Sequence, residues 1–96
     1  MDPEPITNNQ RLITELEVHV LWHSFTKDPD FHGRAVSITS ENDLGPFDIL
    51  PRHANIISLI KNQIIIRTGE GKELHYKFRN GVLEASENQV RVFLGI

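Results

Sequence analysis

Five histidines in a chain of 96 residues without a cysteine are the first place to look for chemistry. His19 and His23 are four apart, so on a strand they share a face, and His75 falls on the polar side of an alternating segment. Three such side chains could meet at a metal. However, the paired His-x-His with a following Glu used by metal-binding barrels is missing, and solvated strand positions account for them. Asp28 and Asp30 near His32, with Asp2, could be assembled into an acid–base site, but Pro29 between the two aspartates marks an ordinary solvated loop. There is no Gly-x-Ser-x-Gly elbow and no glycine loop that cradles phosphate ahead of a helix; Gly69-Glu70-Gly71-Lys72 has the composition of a hairpin loop. Zero cysteines remove thiol catalysis, a disulfide framework and a Cys-type zinc site together. The residues therefore point away from an enzyme, with no catalytic, metal or cofactor-binding set expected.

Charge excludes another class. Ten basic and 13 acidic side chains give a net charge of −3, and the Lys and Arg residues are scattered singly, so nucleic acid is not an expected partner. The apolar run Ile56–Ile60 is interrupted by Ser58 and is far shorter than the roughly 18 residues of a membrane span. Met1-Asp2-Pro3-Glu4-Pro5 carries acid and proline where a secretory signal carries base, which makes a cytoplasmic location the default expectation.

The elements that must position any site follow a period of two. Residues 1–14 read as a flexible polar arm and residues 15–96 as one domain. Leu16, Val18, Val20 and Trp22 alternate with Glu17, His19 and His23. Val36 and Ile38 alternate with Ser37 and Thr39, and Leu74, Tyr76 and Phe78 with Glu73, His75, Lys77 and Arg79. Asn55–Ile60 reads as a buried strand, Lys61-Asn62 as a turn into Ile64-Ile65-Ile66, and Asn80-Gly81 as a positive-φ turn before Val82–Ala85. Strand starts recur with turn signals between them, and no segment keeps a helical period. The expected fold is all-β, a small antiparallel β-sandwich of about eight to ten strands. Its core would hold Leu16, Val18, Val20, Val36, Ile38, Ile64, Ile66, Leu74, Tyr76, Phe78, Leu83, Val90 and Val92.

One stretch is more specific: Gly45-Pro46-Phe47-Asp48-Ile49-Leu50-Pro51-Arg52-His53-Ala54. It resembles the signature of the epsilon subunit of F-type ATP synthase (delta in mitochondria). Phe31-His32-Gly33 and Val36–Thr39 upstream, and Leu59, Ile64–Ile66, the Gly69 hairpin, Asn80–Glu84 and Asn88–Leu94 downstream, are similar to that family in the same order. The resemblance runs from about Leu16 to Ile96 and implies the family's N-terminal β-sandwich. It also implies a non-catalytic rotor component of the central stalk. In this role the protein holds the gamma subunit and the c-ring during rotational, proton-coupled ATP synthesis, and touches the membrane only through the complex, as a peripheral subunit on its cytoplasmic face. The implied partner surface is Gly45, Pro46, Phe47, Ile49, Pro51, Arg52 and His53.

The chain departs from the family at defined points. Pro46 replaces a glutamate, Asp48 and Arg52 replace glycines, Asn55 a proline and Asn80 a glycine. Asn80 can adopt the positive φ of a glycine, whereas Arg52 cannot do so cheaply, so that corner is expected to be shaped differently. The sequence stops at the last strand, where the family adds a C-terminal helical hairpin that senses ATP. The resemblance therefore implies no ATP binding and no inhibition of hydrolysis of that type. Two other readings stand beside this one: a β-sandwich interaction module that reuses the fold, and a small metal- or ligand-binding barrel.

Overall fold

The computed structural model describes residues 14–23, 30–52 and 55–96. The expected arm, apart from Thr14, lies outside them. Seven strands follow in order: β1 (Leu16–Trp22), β2 (Phe31–Ala35), β3 (Ser37–Asn42), β4 (Gly45–Ile49), β5 (Ile56–Arg67), β6 (Glu73–Ser86) and β7 (Gln89–Leu94). There is no helix among the described residues. Hydrogen bonding gives the order β2-β1-β7-β6-β5-β3-β4, antiparallel throughout except for the parallel pair β1 and β7.

The continuous ladder makes two layers because its longest hairpin serves both. β7 pairs only with Gly81–Ser86 of β6, and β3 only with Ile64–Arg67 of β5. One layer is therefore β2, β1, β7 and the β6-C and β5-N halves of the hairpin. The other is the remaining halves with β3 and β4. Val18, Val20, Leu83, Val90, Val92 and Leu94 of the first layer share one buried cluster with Ile38, Ile49, Ile64 and Ile66 of the second. Burial of such side chains is the main favourable term, at about 1.5–3 kcal/mol each.

The strand count is lower than expected because two predicted turns lie inside strands. Lys61 pairs with Asn80 and Asn62 with Phe78, which leaves Arg79 as an extra residue on β6: a β-bulge, not a hairpin. The left-handed conformation expected of Asn80 is found instead at Asn62, with φ 74°. Arg79 also reverses the inward parity of β6, from Leu74, Tyr76 and Phe78 to Gly81, Leu83 and Ala85. Conversely, the predicted strand over residues 34–40 is split at Val36, whose N–H donates to Arg67 O at 2.7 Å. Ala35 is buried there and Val36 only half-buried. Leu74, Tyr76 and Phe78 pack on the core while staying partly exposed, and Tyr76 meets Trp22 edge to face at 6.1 Å across the layers.

Candidate functional site

The stretch Gly45–His53 begins as a strand, not a loop. Pairing of β4 with β3 points Phe47 and Ile49 inward, so Pro46 and Asp48 are exposed while Ile49 is only 6% exposed. Ile49 is therefore a core residue, and as a contact residue it is corrected: a side chain buried in the shared core cannot reach a partner, whereas Phe47 on the same face stays half-buried. Gly45 opens the strand at φ 119°, a conformation that L side chains rarely adopt, after a turn in which Leu44 N–H donates to Asn42 Oδ1 at 2.8 Å. Past β4, Pro51 and Arg52 turn the chain; His53 lies outside the described residues.

Arg52 does adopt the positive φ expected of the glycine it replaces, 68°, so the corner is not reshaped to avoid it. The strain, about 1–2 kcal/mol for an L residue, is opposed by a hydrogen bond from Arg52 N–H to Asn88 Oδ1 at 2.6 Å. Asn88 sits in the two-residue turn between β6 and β7, where Glu87 and Asn88 have φ of 52° and 66°. Glu87 N–H donates to Asn55 Oδ1 at 3.3 Å, and Asn88 O accepts from Glu17 N–H at 2.8 Å. The corner, the tight turn and the start of β1 are thus pinned together.

Behind the strand, a polar chain crosses the outer face of the second layer. Thr39 Oγ1 donates to Asp48 Oδ1 at 2.6 Å, Arg67 Nη1 to Thr39 Oγ1 at 2.7 Å, and Arg67 Nε to Glu73 Oε2 at 3.0 Å; His75 Nε2 lies 3.1 Å from Glu73 Oε1. The hydrogen bonds from His75 and then Arg67 hold the Glu73 carboxyl below its usual value.

Among the described residues, the histidines do not gather at one point as the spacing of His19 and His23 suggested. His19 stacks on His32, with centroids 4.9 Å apart, and His32 Nε2 is 3.3 Å from Glu17 Oε2. His75 stands on β6 with Glu73. No group of three potential ligands suited to a metal occurs among the described residues. An open groove of about 610 Å³ between the layers is lined by Glu15, Phe31, Arg34, Thr68, Lys72 and Leu74, with no nucleophile paired to a base.

Other surface residues were not singled out from the sequence. In the run Ile56–Ile60, only Ile60 is buried; Ile57 and Leu59 are 74% and 75% exposed, and Leu44 is 97% exposed. An apolar run with no polar alternation is the signal that both faces are covered; here the described residues cover only one.

The corner, with its scaffold, falls within a family match. Residues 26–94 match the family described as ATP synthase, Delta/Epsilon chain, beta-sandwich domain. The chain belongs to the ATP synthase delta/epsilon family. Members of the epsilon chain family are non-catalytic ATP synthase subunits, in keeping with a site made of a shaped corner. The ATP synthase epsilon chain of Xanthomonas euvesicatoria is 29% identical over 65 residues, covering 67% of this chain and 46% of that one. That of Xylella fastidiosa is 32% identical over 63 residues, covering 65% and 45%. This chain therefore spans less than half the length of those relatives. Its fold is shared with a chain of the Euglena gracilis mitochondrial ATP synthase OSCP/F1/c-ring assembly, at TM-score 0.75 and 12% identity, over 98% of this chain and 59% of that one. A chain of the Tetrahymena thermophila mitochondrial ATP synthase central stalk/c-ring gives TM-score 0.63 and 16% identity, over 84% and 63%.

Proposed function

We propose that this delta/epsilon-family domain is a non-catalytic central-stalk component of an F-type ATP synthase, linking the gamma subunit to the c-ring so that rotation passes between them. The observation that carries the proposal is the family match over residues 26–94, joined to a two-layer sandwich with one shared core. Transmitting torque demands stiffness and a shaped surface, and close-packed layers supply the first. The Gly45–His53 corner supplies the second, with Gly45, Pro46, Phe47, Pro51, Arg52 and His53 as the contact residues. Pinning by Asn88 favours this role because a pre-formed corner loses little freedom on binding. The protein would sit peripherally at the cytoplasmic face of the membrane through its complex. The proposal gives it no metal, cofactor or bound ATP.

The test is co-expression with the gamma subunit and c-ring of the same organism, followed by affinity capture. Arg52→Glu is expected to weaken capture of the c-ring while the circular dichroism spectrum stays unchanged. Wild-type capture by that variant would place the c-ring contact elsewhere.

A further inference from the structure

Folding one ladder into two layers leaves four strand edges unpaired among the described residues: β2, the N-terminal half of β6, β4, and the N-terminal half of β5. An open edge invites another chain, and proteins blunt such edges with short strands, proline, or Lys and Arg. Three of the four are blunted. β2 is 5 residues long and carries Arg34, β4 is 5 residues long and carries Pro46, and the β6 half carries exposed Lys77 and Arg79.

The fourth, Ile56–Lys61, has no such device before Lys61, whose Nζ is 3.1 Å from Asp43. Its outward side chains are Ile57 and Leu59, about three-quarters exposed. β6 satisfies one side of its backbone; on the other, β3 begins to pair only at Ile64. Leu59 also starts an apolar row: it faces Val82, Val82 faces Phe93, and Phe93 faces Leu21, all on one sheet face. That row spans about 14 Å across four strands at the usual strand spacing. The next row starts at Ile57 and continues through Glu84, Arg91, His19 and His32, so beyond Ile57 the apolar band has a polar border.

The unpaired backbone specifies the chemistry of the occupant: an extended polypeptide, since only a strand returns both N–H and C=O groups in register. A second copy fits poorly. Self-pairing of Ile56–Lys61 would bury little beyond this one short edge, against about 20–30 residues a side for a stable interface. The apolar row leading away from it would stay uncovered. A larger partner can cover both.

We propose that the Ile56–Lys61 edge accepts an added strand from the stalk partner, an extended segment with apolar side chains at alternate positions whose following residues cover the Leu59–Val82–Phe93–Leu21 row. This rests on the stalk function proposed above and names the surface that gamma takes. The Gly45–His53 corner is left to the c-ring.

The experiment compares binding of purified gamma subunit by the wild-type chain, by the Ile57→Lys/Leu59→Lys variant and by Lys77→Ala on a blunted edge, with amide hydrogen exchange read on each complex. Both substituted apolar side chains are exposed, so the double variant should keep the wild-type melting temperature. Expected are a loss of binding of about tenfold or more for the double variant, none for Lys77→Ala, and slowed exchange at Ile56–Lys61 in the wild-type complex. Equal binding by the double variant, or unchanged exchange along that edge, would overturn the proposal while leaving the stalk function standing. Failure of the wild-type chain to bind gamma would remove the stalk function and this proposal with it. A wild-type homodimer made monomeric by Leu59→Lys would overturn it in favour of a second copy.

Discussion

Arg52 and Asn88 stand 36 positions apart and are joined by a 2.6 Å hydrogen bond, Arg52 N–H to Asn88 Oδ1, with both residues in the left-handed region at φ 68° and 66°. Each conformation is unfavourable for its own residue, and Asn tolerates it better than Arg. The bond ties the strained corner after β4 to the strained turn between β6 and β7. A partner meeting the corner therefore pushes against both layers.

Replacing Asn88 separates the two contributions. Asn88→Gly keeps the positive φ and loses the side-chain acceptor, so it should cost about 1 kcal/mol. Asn88→Ala also gives up asparagine's tolerance of the left-handed region, and a total near 2 kcal/mol is expected. Urea unfolding of the two variants checks the order. If Ala proves no worse than Gly, φ at this turn is not a constraint.

Arg52→Gly should act in the opposite direction. It relieves about 1–2 kcal/mol of left-handed strain and adds about 0.5–1 kcal/mol of unfolded-state entropy. The net effect is expected to lie between neutral and stabilising by about 1.5 kcal/mol. Thermal unfolding measures this, and a clear loss of stability would mean that the Arg52 side chain holds the corner.

The sequence shows the sandwich wherever one rule governs a segment, and misleads where two compete. The rows Leu16/Val18/Val20 and Val90/Val92 were legible because each strand has one wet face, and both are buried as expected. Asn80-Gly81 was not. The pair has turn chemistry, yet its glycine serves close approach: a β-carbon at Gly81 would lie 2.7 Å from Phe93 O. The parity change from Phe78 to Leu83 was the visible trace of the bulge, since only an extra residue lets both rows face the same core. At the site, Pro46 and Arg52 could be placed on the surface from the sequence. The inward turn of Ile49 required the register of β4 on β3. The exposure of Ile57 and Leu59 was hidden because a run apolar on both faces looks buried before its covering is known.

Gly81→Ala tests the close approach of β6 to β7. The new methyl would meet backbone, which cannot swing away, and Leu94 and Ile60 also lie within 3.3 Å. A loss of about 1–3 kcal/mol is expected from overpacking. Gly71→Ala is a useful comparison: Gly71 has φ 91° and nothing within 4 Å, so its cost would come from backbone strain alone. A Gly81→Ala protein as stable as wild type would show that β6 and β7 can part at this point without penalty.

The chain from Asp48 to His75 makes a prediction about acid. Glu73 is held below the usual carboxylate value by His75 and then Arg67, so its charged form is favoured more in the folded than in the unfolded protein. The unfolded state binds the proton more readily. The stabilisation is therefore fully present above the ordinary carboxylate value near 4.5 and is lost as pH falls through the lower folded value. Glu73→Gln removes this dependence, because the amide neither titrates nor carries the charge that Arg67 meets at 3.0 Å. Wild type should be the more stable at pH 7, by a small margin since the pair is solvent-screened, and the two melting temperatures should converge as the pH is lowered below about 4. Repeating the series in 1 M salt should shrink the difference at pH 7, as exposed charges are screened within a few ångströms. A difference that persists unchanged at pH 3 would assign the contribution of Glu73 to its packing and not to its charge.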